Sequence, residues 1–215
     1  MDVIGMADLV LDRYELALRA HERNDPELAE TVIAGDDDVN ELYLGLENDC
    51  IELLALQQPV AGDLRFVTAS FKIITDLERV GDLATNLARY SRTAGGQLHE
   101  GVPLRQLADD AGVMVRDAVD AYETEDVEAC REIARRDDEL DTACEAGSER
   151  VLSRLVQCHD SRDARAADGE LLEETIDEVS TALLTIRDVE RVGDHAVNVA
   201  ARTLYMVEND DELLY

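Results

Sequence analysis

Thirteen residues, Asp76-Leu-Glu-Arg-Val-Gly-Asp-Leu-Ala-Thr-Asn-Leu-Ala88, return 112 positions later as Asp188-Val-Glu-Arg-Val-Gly-Asp-His-Ala-Val-Asn-Val-Ala200, with nine identities. Two Asp, a Glu, an Arg and an Asn are among them, with a Gly. A repeat that only filled a core would keep its apolar residues and let the polar ones drift. Glu78, Asp82 and Asn86 stand at i, i+4 and i+8, which places them in one row along a helix. Glu190, Asp194 and Asn198 repeat that row. At about 100° per residue, with Leu77 at zero, Glu78 falls near ~100°, Asp82 near ~140° and Asn86 near ~180°. Ile73, Val80 and Ala84 flank Leu77 on one side, and Ile74 and Gly81 on the other. The row therefore starts at the edge of a core and runs out toward water.

A second acidic set is expected to face the first. If the chain turns back near residue 60, Asp36 comes opposite Asp82, and Asn40 opposite Glu78. In the second half, reflection through the 158–172 region brings Asp137 to Asp194 and Asp141 to Glu190. The two halves differ in loop length yet give the same pairing. Carboxylates held this close repel one another, and a metal ion with oxygen ligands relieves the repulsion. The candidate metal ligands are Asp36, Asn40, Glu78, Asp82, Asp137, Asp141, Glu190 and Asp194. Oxygen ligation suits iron foremost, then magnesium, manganese or calcium, with zinc less suited in the absence of His or Cys ligands.

Two plainer alternatives stand beside the metal site: a charge network closed by Arg79 and Arg191, or a solvated acidic face. Arg79 falls near ~200° on the wheel, so it is expected to point to solvent or another subunit. His195 lies ~100° off the acidic row and is an occasional-ligand candidate. His21, His99 and His159 show no partner pattern. Gly81 and Gly193 each carry a helix-propensity penalty of about 1 kcal/mol against Ala. Their expected use is close helix approach beside the acids. Cys50, Cys130, Cys144 and Cys158 lack CxxC spacing and are expected as small buried apolar residues.

Helices must position these residues. Apolar spacing is helical nearly throughout, and no run sustains period-two alternation. Asp25-Pro26-Glu27 supplies a cap followed by proline at the first helical position. Gln58-Pro-Val-Ala-Gly-Asp63 breaks one helix, and 93–103 is a linker. The expected helices are 3–23, 26–57 and 62–92, then 104–124, 127–157 and 171–207. Asp25–Asp36 aligns with Asp126–Asp137 at an offset of 101, which becomes 112 after the second helix. The extra residues fall in the polar stretch 158–169, where an insertion is tolerated. The fold class is all-α: two tandem three-helix bundles, residues 1–95 and 102–208, related by an internal repeat.

The balance of 20 basic against 50 acidic residues gives a net charge of −30. Acids lie along the whole chain and Lys72 is the single lysine, the pattern of a salt-adapted surface. Such a surface repels nucleic acid and anionic lipid. No stretch approaches the ~18 apolar residues of a membrane span, and Met1 opens no signal peptide. The chain reads as cytoplasmic, with no membrane insertion. No Gly-rich loop or Arg cluster cradles an anion, so a phosphate site is not expected.

Glu78-Arg-Val-Gly-Asp82 with Asn86, its copy Glu190-Arg-Val-Gly-Asp194 with Asn198, and Gln58-Pro-Val-Ala-Gly-Asp-Leu-Arg65 together resemble the PhoU family of phosphate-uptake regulators. Asp36-x-x-Val-Asn40 and Asp137-x-x-Leu-Asp141 fit as well. The resemblance covers nearly the whole chain. It implies a two-bundle helical fold with metal clusters on the acidic rows. It also implies a non-enzymatic regulator of the phosphate ABC transporter, acting through its ATPase subunit and damping import when phosphate is plentiful. In bacteria a sensor kinase would be a further partner, and a homodimer is expected. The acidity and scarcity of lysine point to a halophilic archaeon as source. Asn40 stands where the second repeat has Asp141, so the first site carries one charge fewer. The alternatives are metal storage or buffering, and a carboxylate-bridged metal enzyme. The enzyme lacks support from the sequence, since no histidine follows a Glu at the i, i+3 spacing such sites use.

Overall fold

Helix signals in the sequence are matched by caps in the structure. Asp2 accepts a hydrogen bond from the Gly5 N–H at the start of α1 (Val3–Arg23). Asn24 ends α1 in the left-handed conformation, and Asp25 caps α2 (Pro26–Ala34) through the N–H groups of Glu27 and Leu28. The second repeat reuses the device. Glu125, also left-handed, ends α5 (Leu104–Thr124), and Asp126 accepts from the N–H groups of Glu128 and Ala129 at the start of α6 (Val127–Arg162). The remaining helices are α3 (Asp36–Gln57), α4 (Gly62–Thr93) and α7 (Gly169–Glu208). The computed structural model describes residues 2–93, 102–162 and 169–214, with side chains throughout except at 92, 93, 154, 155, 157–162 and 169–174. No strand occurs among the described residues.

One expected helix is two. The 26–57 segment breaks at Gly35 into α2 and α3, while its counterpart α6 runs unbroken. The reason is Arg13. Its guanidinium donates to the Val32 carbonyl and to Asp38, lying so close that a Cβ at Gly35 would sit 1.9 Å from Nη1. The glycine leaves room for that guanidinium at the end of α2. In the second repeat Arg136 holds the equivalent position and pairs with Asp117 instead. The break makes Asp36 the first residue of α3, in a turn with Asp37 and Asp38 that suits the helix dipole. Helix α6 also extends to Arg162, beyond the expected 157. The rest of the expected 158–169 loop, nearly all of the 93–103 linker and His99 lie outside the described residues, as do the side chains of Cys158 and His159.

Helices α1, α4, α5 and α7 pack around a core shared by both repeats, with α3 laid along α4 and α6 along α7. The centre is the α4–α7 contact. Ile73, Ile74, Leu77 and Leu87 from α4 are fully buried in this core, as are Ile186, Val189, Val192 and Leu204 from α7. Full burial stabilises each of these side chains by ~1.5–3 kcal/mol relative to exposure. Tyr90 on α4 donates to Asp188, and His195 and Asn198 on α7 both reach Asp76, so the two helices run antiparallel. Between α1 and α5, the Tyr14 hydroxyl donates to the Ala108 carbonyl at 3.0 Å. Cys50, Cys130 and Cys144 are free and buried, and burial raises the Cys130 thiol to about 11 and that of Cys144 to about 12. They are packing residues.

Candidate metal centre

The acidic rows project from α4 and α7, the two helices that pack at the middle of the molecule. In the first half Asp36, at the head of α3, accepts a hydrogen bond from the Thr85 hydroxyl at 2.9 Å. Burial raises the Glu78 carboxyl, with Asp82 and Asp36 adding to the rise and Arg79 opposing it. Asp82 is raised by burial and by Asp36, again opposed by Arg79. Arg79 Nε lies 3.5 Å from Glu78 and Nη1 3.6 Å from Asp82. The expectation that Arg79 turns to solvent or another subunit is corrected. It is more than half exposed, yet it folds back over the acids, because both carboxylates lie within its reach. Asn40, half-buried, follows one turn along α3 and adds no charge.

The second half is tighter and lacks these compensations. Carboxylate oxygens of Asp137, Asp141 and Asp194 all lie within 4.8 Å of one another. No equally close trio forms among the described acids of the first half. One Asp137 oxygen, Oδ1, is buried with no hydrogen-bond partner. Val197 occupies the position equivalent to Thr85 and offers no hydroxyl. Burial, reinforced first by Asp141 and then by Asp194, pushes the Asp137 carboxyl up to about 7. Asp141 and Glu190 are raised as well, by burial first and by neighbouring acids second. Arg191, the counterpart of Arg79, turns to Asp188 at 3.8 Å.

Gly193 is what lets α6 come this near to α7. A Cβ there would lie 2.6 Å from Leu140 Cδ2 and 2.9 Å from Asp137 Oδ1. Gly81 serves the same approach in the first half, with Val39 Cγ1 at 3.1 Å. The donor set fits an oxygen-ligated cation. Three carboxylate oxygens within 4.8 Å of one another are the kind of ligands a hard cation takes. An orphaned buried carboxylate oxygen is costly unless such a partner is present.

Of the pairings read from the sequence, the structure sets Asp36 near Asp82, Asp137 near Asp194 and Asp141 near Glu190, with two differences in detail. Asp141, placed opposite Glu190, also converges with Asp137 and Asp194. The outer ends of the rows serve other partners: Asn86 accepts from Arg89, and Asn198 donates to Asp76. His195, the occasional-ligand candidate, reaches across to α4. Its Nδ1 is 2.9 Å from Asp76, because the antiparallel α4 puts that carboxylate beside it. Sequence reasoning missed Thr85, Asp76 and Asp188. The two aspartates open the repeated segment at equivalent positions, and each is used to stitch one repeat to the other. Their recurrence was the available signal.

Comparison with known proteins comes to one family. The PhoU domain matches residues 3–91 and again 104–203. The chain is 32% identical over 211 residues to the phosphate-specific transport system accessory protein PhoU of Serratia marcescens, covering 97% of this chain and 81% of that one. It is 29% identical over 209 residues to a homologue of the same accessory protein from Methanothermobacter thermautotrophicus, covering 96% and 89%. The crystal structure of PhoU from Pseudomonas aeruginosa superposes with a TM-score of 0.85 at 28% identity, covering 97% of this chain and 94% of that chain. The phosphate transport system regulatory protein PhoU from Streptococcus pneumoniae gives 0.82 at 27% identity, covering 97% and 92%.

Proposed function

The chain belongs to the PhoU family, and on that premise we propose that it is a non-enzymatic, metal-binding regulator of phosphate uptake. Relatives matched along almost the whole chain are accessory proteins of the phosphate-specific transport system. The partner in this proposal is the ATPase subunit of the phosphate ABC transporter, with import damped when phosphate is plentiful. A homodimer, and a sensor kinase in a bacterial setting, belong to the same proposal. No helix among the described residues is long and apolar enough to cross a membrane, which suits an accessory role beside a transporter.

The observation that carries the metal part is the orphaned Asp137 oxygen inside the Asp137–Asp141–Asp194 convergence. Asp137, Asp141, Glu190 and Asp194 would hold a cation there, iron foremost. Asp36, Asn40, Glu78 and Asp82 would hold a second, more weakly, because Thr85 and Arg79 already satisfy part of that set. The bound ion supplies positive charge that draws α6 and α7 together. These side chains set its affinity and fix the surface presented to the transporter. The ions are structural in this proposal.

Deleting the gene should raise phosphate uptake in phosphate-replete medium, and the wild-type chain should restore the low rate. A copy carrying Asp137→Asn and Glu190→Ala should restore it poorly. Unchanged uptake in the deletion strain would falsify the regulatory role. Full rescue by the double variant would remove the metal from it.

A further inference from the structure

We propose that Arg13, on α1, is a positioning residue for the first metal centre: its guanidinium clasps the end of α2 to the start of α3 and so fixes where Asp36 stands against Asp82 and Glu78. This rests on the reading that the first acidic set holds a cation. Arg13 lies outside the repeated segments, and its own hydrogen bonds go to Val32 and Asp38 rather than to any of the four ligands.

In a continuous helix the Val32 carbonyl would accept the Asp36 N–H. Here it accepts the Gly35 N–H at 3.2 Å and Arg13 Nη1 at 3.3 Å. Arg13 Nη2 donates to Asp38 at 2.8 Å, in the first turn of α3. One planar group therefore bridges the two helices, and the fixed fork of its donors sets the angle between its two acceptors. The Arg13 side chain is 12% exposed and its Nε is buried without a partner, so packing as well as hydrogen bonding holds the group in place.

Asp36 is the first residue of α3, so its carboxylate goes wherever that helix begins. Thr85 holds one of its oxygens at 2.9 Å, and its charge is felt by both Glu78 and Asp82. The second repeat has no such joint. Asp137 lies inside the unbroken α6, and the helix itself places it. At the offset of 101, Met114 stands where the first repeat has Arg13, and Arg136 stands where it has Gly35. Arg136 pairs with Asp117. The clasping arginine and the glycine that makes room for it occur together, in the repeat whose helix is broken.

The test is isothermal titration of the EDTA-stripped full chain with MnCl₂, in KCl high enough to screen diffuse attraction. The parent should show two binding events, and Asp82→Asn should identify the first cluster's event by weakening it. Arg13→Gln should weaken that same event roughly tenfold, the scale on which residues that orient metal ligands act, and leave the other unchanged. Charge alone predicts the opposite sign, because the variant removes a positive charge near a cation site. Gly35→Ala leaves the charge unchanged and should also weaken the first event, since its Cβ would take the space of the guanidinium. Arg136→Gln should not weaken the second cluster's event, because α6 is continuous there. The helical circular-dichroism signal should match the parent in each variant; if Arg13→Gln fails to fold, Gly35→Ala decides. Unchanged or tighter binding at the first cluster, or an equal loss at both clusters, would overturn the positioning role and leave the metal reading standing. A parent that takes up Mn²⁺ at the second cluster alone would overturn it too. No Mn²⁺ uptake at either cluster would overturn the metal reading and this inference with it.

Discussion

Asp137→Asn should make the metal-free protein more stable and the metal response weaker. In the parent, Asp137 is held between Asp141 and Asp194 with one oxygen buried and unpartnered. Its carboxyl rises from 3.8 to about 7. Fully desolvated, a rise of that size corresponds to ~4 kcal/mol at pH 8. The site is open on the side of Asp141 and Asp194, so screening roughly halves this to about 2 kcal/mol. The sign follows from the raised folded-state value. The folded protein favours the protonated acid, so stability is retained near pH 4 and lost as pH rises toward 7. Removing the ionisable group removes that loss. With EDTA at pH 8 the variant should melt about 4–8 °C above the parent, at ~2–4 °C per kcal/mol for a chain of this size. At pH 4.5 most of the difference should vanish. With MnCl₂ at pH 8 the parent should gain stability and the variant much less, since mass action stabilises only a state that binds. The measurement is a set of thermal melts followed by circular dichroism. A variant that melts below the parent at pH 8 without metal, or an equal Mn²⁺ increment in both, would refute the account of the second cluster.

Arg79→Gln should strengthen cation uptake at the first cluster by roughly fivefold, about the worth of an exposed ion pair. Isothermal titration would read this as a change in the weaker of two binding events. Gly193→Ala should lower the melting temperature and weaken metal uptake at the second cluster, because its Cβ would press on Leu140 and Asp137. Overpacking of that kind costs about 1–3 kcal/mol, offset by the ~1 kcal/mol of helix propensity that Ala gains over Gly. Gly81→Ala, with Val39 Cγ1 as nearest neighbour at 3.1 Å, should be milder in the same melts. A net charge of −30 should make stability rise with KCl from low ionic strength to molar concentrations; a flat series of melting temperatures would argue against a salt-adapted surface.

What the sequence determined by itself is whatever depends on near neighbours along the chain. Asp25 and Asp126 announce their helices because a cap needs only the next three residues. Glu78 and Asp82, like Glu190 and Asp194, share a helix face because helical spacing is local. Even the pairing of Asp137 with Asp194 follows from the arm lengths of a helical hairpin. The break at Gly35 was not legible there, because it depends on Arg13 arriving from α1, 22 residues away in sequence.

Only the tertiary structure decided how alike the two repeats are. Both bring acids together, yet Thr85 satisfies Asp36, while the equivalent Val197 leaves Asp137 without a hydroxyl. The two arginines of the repeated segment diverge as well. Arg79 turns to its own acidic row and Arg191 to Asp188, a choice set by which carboxylates lie within reach in space. Asp76 meets His195 only because α4 and α7 run antiparallel through a shared core. Copied sequence fixes equal helices, but the packing partners around each copy differ, and those partners set each group's charge balance and exposure.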